Sequence, residues 1–152
     1  MRKRLIGQDP PRDQEWLDVD HLAQVEVSSE DPDRPVEFAL VGGGPGWRAS
    51  TPGEQLIRLL FDEPVKLRTI AIRFDEPDAA RTQEFALRWS PDRGRSYREV
   101  VRQQYNFSPP DTTCQAERYA VEVDGATVLE LRIVPDIARG PALASLTQLR
   151  LA

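Results

Sequence analysis

Thirteen prolines punctuate this 152-residue chain, and they fall between its alternating apolar runs, never inside one. A proline cannot donate to a sheet ladder, so runs that exclude it are candidates for central strands and the gaps that hold it are loops. The runs alternate with period two, the mark of half-buried antiparallel strands. The first is Ala23 to Ser28, around Val25 and Val27. In the second, Ile57, Leu59 and Phe61 share one face, with Leu56, Arg58 and Leu60 on the other. Ile70, Ile72 and Phe74 follow, then Phe85, Leu87 and Trp89, then a weaker run from Tyr97 to Gln104. Tyr119, Val121 and Val123 form the sixth, and Leu129, Leu131 and Ile133 the seventh. The eighth carries Leu146, Leu149 and Leu151, with broken spacing that predicts a bulge or turn near Thr147. Eight such runs in one chain imply an antiparallel sandwich or jelly roll.

The gaps are unequal. Asp62–Lys66, Pro91–Arg95 and Asp124–Thr127 are short; Ser29–Glu54, Asp75–Arg81, Tyr105–Ala116 and Pro135–Ala142 are long. Long and short alternate along the chain. Successive antiparallel strands reverse direction, so the long loops are expected to gather at one end of the molecule. Long loops on a rigid scaffold commonly carry binding. Pro91-Asp92-Arg93-Gly94 has strong turn chemistry, and Pro35 to Leu40, inside the first long loop, is expected to form one helical turn.

The length suits one domain, and 39% hydrophobic with 30% charged residues suits a folded globular chain. A net charge of -5 argues against non-specific nucleic-acid binding. Residues 1–22 read as an N-terminal arm, pinned to the body by Trp16 and Leu17, and residues 23–152 as the domain. The chain shows neither a secretory signal nor an apolar stretch long enough to span a bilayer, and Cys114 is its only cysteine. These features predict a cytoplasmic setting without membrane association.

Gly46-Trp47-Arg48-Ala49-Ser50, then Gly53-Glu54-Gln55 leading into a strand, precede Ser90-Pro91-Asp92-Arg93-Gly94-Arg95-Ser96-Tyr97. The chain closes with Leu131-Arg132-Ile133-Val134-Pro135 and Ala144-Ser145-Leu146. In this order they resemble the discoidin, or coagulation-factor C-type, domain of the galactose-binding-like superfamily, over about residues 23 to 152. The resemblance implies an eight-stranded jelly-roll β-sandwich acting as a non-catalytic binding module, with ligands on the loops at one end. It departs from secreted members in lacking the cysteines that often tie the termini.

Seven residues fall on the long loops. Trp47 and Arg48 are either an aromatic platform with an adjacent guanidinium or, for Trp47 and by the resemblance, the plug of the open core. Tyr105 and Asn106 offer a flat face and directional hydrogen bonds suited to a polyol, while Tyr105 also reads as a core aromatic ending a strand. Arg81, Asp136 and Arg139 are individually ordinary charges that gain interest by convergence.

Gly42–Gly46 lacks the Lys-Ser/Thr pair of a phosphate loop. Asp75, Glu76 and Asp78 lack metal-ligand spacing, and neither His21 nor Cys114 has an obvious catalytic partner. No cofactor is expected; a structural calcium near the first long loop, as in some family members, is the minor alternative. The expected ligand is a carbohydrate or other small polar molecule. The alternative is a protein-interaction or assembly module, a homodimer among its forms, using the loops or a sheet face on which Leu56 and Leu60 point outward.

Overall fold

A computed structural model describes residues 16–152 of the chain, so most of the predicted arm lies outside the described residues. Trp16 lies under the Arg118 guanidinium, and the Leu17 amide donates to the Leu151 carbonyl at 2.7 Å. Val19, on the short helix α1 (Val19–Leu22), is buried in the core.

The strands are β1 (Ala23–Val27), β2 (Trp47–Arg48), β3 (Gln55–Asp75), β4 (Arg81–Ser90), β5 (Arg98–Phe107), β6 (Cys114–Val134), β7 (Ser145–Leu146) and β8 (Gln148–Leu151). The predicted helical turn is present as α2 (Glu37–Leu40), which buries Ala39 and Leu40. All eight predicted runs are strand, but four of them are fused in pairs. β3 and β6 are each 21 residues long and pair antiparallel from Gln55 opposite Ile133 to Asp75 opposite Cys114.

This ribbon serves both layers of the sandwich. Its Gln55/Ile133 half carries β1 and β4, giving the order β1-β3-β6-β4-β5. Its other half carries β8, paired from Ile70 to Arg73. Between them the register shifts at Leu60/Val65, Val65/Lys66 and Leu67/Thr69, and there the ribbon turns a corner. Bulges supply the bend that lets one strand change sheets. Asp62–Lys66 and Asp124–Thr127 are therefore corners within strands, not hairpin turns. Pro64 lies inside a strand after all, at the corner, where the shifting register leaves out the ladder bond it could not donate.

The alternating residues meet between the layers. Phe74 from one sheet and Phe85 from the other have ring centroids 5.1 Å apart, and Ile57, Leu59, Phe61, Leu67, Leu87, Leu129 and Leu131 are fully buried around them. Each such side chain contributes about 1.5–3 kcal/mol on burial.

The folded-over ribbon has the same effect on direction as a hairpin, so the predicted gathering of loops is realised. At the short-loop end, the Arg93 amide donates to Thr127 Oγ1 at 2.9 Å and its guanidinium to the Phe61 carbonyl at 2.7 Å, joining all three short connections. Arg93 reaches them with φ 61°, in the left-handed region. At the opposite end, the Glu76 amide donates to the Thr113 carbonyl and the Ile137 amide to the Thr82 carbonyl, so the loops after β3, β5 and β6 stand together.

Candidate functional site

The loop end is built around two buried polar anchors. Gln55, at the start of β3, accepts from the hydroxyls of Ser28 and Ser29 at 2.6 and 2.7 Å and donates to the Thr51 carbonyl at 3.0 Å. It thereby ties both ends of the first long loop to the sheet and sets Gly53 and Glu54 at its rim. Arg81, at the start of β4, has a side chain only 2% exposed. It donates to the Pro135 carbonyl at 2.6 Å, to Glu76 at 2.7 Å and to Gln83 at 3.1 Å, and its guanidinium lies 5.0 Å from the Phe107 ring centre. Burial works to raise the Glu76 carboxyl, but hydrogen bonds from Arg81 and the Asp78 and Ala79 amides outweigh it and hold it below its ordinary range.

From Pro135 the chain makes a tight excursion. The Asp136 carboxylate accepts from the Ala138 amide at 3.0 Å, the Arg139 amide donates to the Asp136 carbonyl at 2.9 Å, and Arg139 takes φ 65°. The excursion is fastened again where the Ala49 amide donates to the Ala144 carbonyl. Between it and the Gly53–Glu54 rim opens a cleft of about 450 Å³. Val134, Pro135 and Ala142 give it apolar surface, and Glu54, Asp136 and Arg139 give it polar groups. Ile137 and Leu143, on the same excursion, are exposed.

All seven predicted residues lie at this end, but only Asp136 and Arg139 line the cleft. Trp47 has no exposed surface: β2 pairs with β7 beside Leu146, and the indole N–H donates to the Ser29 carbonyl at 3.1 Å. It is the plug of the core and not a platform. Gly46 before it must be glycine, since with φ 102° a Cβ would stand 2.5 Å from the Leu146 carbonyl oxygen. Arg48 is partly exposed opposite Ser145, close enough to Arg34 to add to burial in pushing that guanidinium's pKa down.

Arg81 is buried beneath the cleft and so holds its wall without touching its contents. Tyr105 spends its hydroxyl on the Cys114 carbonyl at 2.9 Å and sets its ring edge against Phe107. Asn106 is exposed and accepts from the Thr82 hydroxyl at 3.0 Å, away from the cleft. Sequence reasoning missed Glu54 as a site residue; its place one step before a strand start at the loop end was the available signal.

Among the described residues no three His, Cys, Asp or Glu side chains come together as a metal site. Asp75 pairs with Arg73 and Thr147, and Glu76 with Arg81. In the first long loop the carbonyls of Pro45 and Gly46 accept from Arg34, those of Ser29 and Arg48 from Trp47 and Asp31. Four of that loop's carbonyls thus already accept from protein donors. Burial and the nearby Asp75 push the Cys114 thiol pKa up, the opposite of nucleophile activation.

No protein-family model matches the chain, and no curated protein does. Solved structures do. A family 32 carbohydrate-binding module of AlyQ, in complex with 4,5-unsaturated mannuronic acid, is 17% identical, with a TM-score of 0.62 over 86% of this chain and 95% of that one. The family 32 module of C. perfringens NanJ, in complex with galactose, is 13% identical, with a TM-score of 0.59 over 85% and 92%. A pectin-binding carbohydrate-binding module is 19% identical, with a TM-score of 0.60 over 86% and 90%. The chain also matches 24% of a Ruminococcus gnavus fucosidase. The chain shares the antiparallel jelly-roll β-sandwich fold of these modules.

Proposed function

We propose that the chain is a non-catalytic carbohydrate-binding module that holds a sugar in the loop-end cleft. One observation carries this reading. The cleft of about 450 Å³ joins apolar surface from Val134, Pro135 and Ala142 to the acceptors of Glu54 and Asp136 and the donors of Arg139. A sugar ring presents apolar C–H faces between hydroxyls that donate and accept together, and a cleft with both kinds of charged group satisfies both. The sugars in the solved modules of the same fold support the reading by analogy.

The test is a glycan array probed with the unaltered protein and with a Glu54→Gln, Asp136→Asn double variant. Binding to one or a few related glycans, lost in the folded variant, is the expected result. Silence across neutral and acidic sugars would overturn the proposal. The assembly alternative gains nothing from the outward sheet face, because Leu56 and Leu60 are half-buried there.

A further inference from the structure

We propose that the loop-end cleft is the mouth of a longer trough across the outer face of the five-stranded sheet, and that the trough takes a neutral polysaccharide chain. The proposal rests on the carbohydrate reading above and extends it to a class of ligand.

Continuity comes first. Glu54 and Val134 line the loop-end cleft and also the next depression, of about 100 Å³, beside Glu84. Ala86, Arg102 and Arg132 line that depression and also a third, of about 160 Å³, that ends at Tyr97. Sheet register explains the path. Glu84 stands opposite Val134 and Gln104, and Ala86 opposite Arg132 and Arg102, so neighbouring rows of one face form the floor. Ala86, only 5% exposed, is the small residue that keeps the middle low. From Glu84 to Arg88 the floor covers about 13 Å of strand, longer than one sugar ring.

The charge pattern selects the ligand. The carboxylates along the trough are Glu54, Glu84, Glu99 and Asp136. They are matched by the guanidiniums of Arg88, Arg102, Arg132 and Arg139. A polyanion or polycation would meet its own sign as often as the opposite one. A neutral polyol uses both, since each hydroxyl donates and accepts.

The groups are also held in place. Arg102 bridges Glu84 and Glu99, and Arg132 stands 3.5 Å from Glu54. Beneath them Glu130, with no exposed surface, accepts from Arg58 at 2.8 Å and from Arg88 at 2.6 Å. That clamp fixes the Arg88 plane 4.0 Å from the Tyr97 ring centre at the far end. Side chains locked before binding lose little entropy when a ligand arrives.

The experiment is calorimetric titration of the full chain with cello-, xylo-, manno- and β-1,3-gluco-oligosaccharides of one to six residues, with oligogalacturonates as the acidic arm. In at least one neutral series, affinity is expected to rise tenfold or more from monomer to tetramer. Arg102→Ala and Ala86→Phe, each checked for folding by thermal melting, are expected to erase that gain. The length series on the unaltered protein decides the matter even where a variant melts. Monomer binding that does not strengthen with length overturns the trough and leaves the loop-end reading standing. A gain with length that survives in both folded variants places the chain elsewhere and also overturns it. Preference for the oligogalacturonates overturns the neutral assignment; no binding in any arm overturns the trough, while the loop-end reading is judged by the glycan array.

Discussion

The buried guanidinium of Arg81 donates to the backbone carbonyl of Pro135 at 2.6 Å, so a strand start on β4 fixes the first residue of the excursion that walls the cleft. Because the same group neutralises Glu76, its loss strands three acceptors at once. Arg81→Ala is expected to cost about 3 kcal/mol, as breaking a buried, hydrogen-bonded ion pair does. Chemical denaturation measures it. Arg81→Lys, which keeps the charge but not the fork, is expected to fall between. A loss under 1 kcal/mol for the alanine variant would show that the excursion is held by other contacts.

Trp47→Ala removes a fully buried indole and is expected to cost about 3–5 kcal/mol. Trp47→Phe retains most of the volume but leaves the Ser29 carbonyl without its indole donor, for a smaller loss of about 1–3 kcal/mol. Sugar affinity of the folded phenylalanine variant is expected to match the parent. A selective loss of affinity at unchanged melting temperature would return Trp47 to the site.

Arg139 combines a positive φ of 65° with an exposed side chain in the cleft. Its backbone and its charge can therefore be separated. Arg139→Gly relieves the left-handed conformation while freeing the unfolded chain, and these effects nearly cancel, leaving stability within about 1 kcal/mol. Affinity for the cleft's sugar is expected to drop about tenfold with the lost donors. Equal affinity in both proteins would remove Arg139 from the binding set.

Asp92 is held down to a pKa of about 2 by the Ser96 hydroxyl, the Ser90 hydroxyl and the Ser96 amide. A carboxyl with a depressed folded pKa stabilises the fold above its unfolded value, and that contribution fades as pH falls through the folded one. The parent is expected to exceed Asp92→Asn in urea midpoint at pH 5, and the gap to narrow between about pH 4 and pH 2. A gap independent of pH over that window would assign the effect to the altered hydrogen bonds and not to the charge.

Period-two runs made the strands legible, and the alternation of long and short gaps placed Asp136 and Arg139 at one end without any contact information. What stayed hidden was long-range. A corner such as Asp62–Lys66 and a hairpin turn both interrupt alternation and both admit proline, so only pairing with β6 tells them apart. Arg81 looks like any loop-edge arginine until Glu76 and the Pro135 carbonyl are seen to enclose it. Glu130 occupies a strand's polar face, where solvation is the ordinary expectation. It is buried because Arg58, 72 residues away, and Arg88 close over it from the strands on either side. Trp47 carries no local sign of its depth, since its burial depends on a two-residue strand pairing almost a hundred residues later.

The corner in the β3–β6 ribbon bears on how far the loop-end cleft can open. In a sandwich of two separate sheets, each layer can slide over the other and widen one end. Here the layers are one hydrogen-bonded strip doubled back on itself, and the crease is fastened by Arg93 at the end away from the cleft. The mouth cannot gape by shear without tearing ladder bonds at the crease. On the carbohydrate-binding reading proposed above, the framework behind the cleft is therefore set by the strip, and ligand choice rests on the side chains of the loops around it.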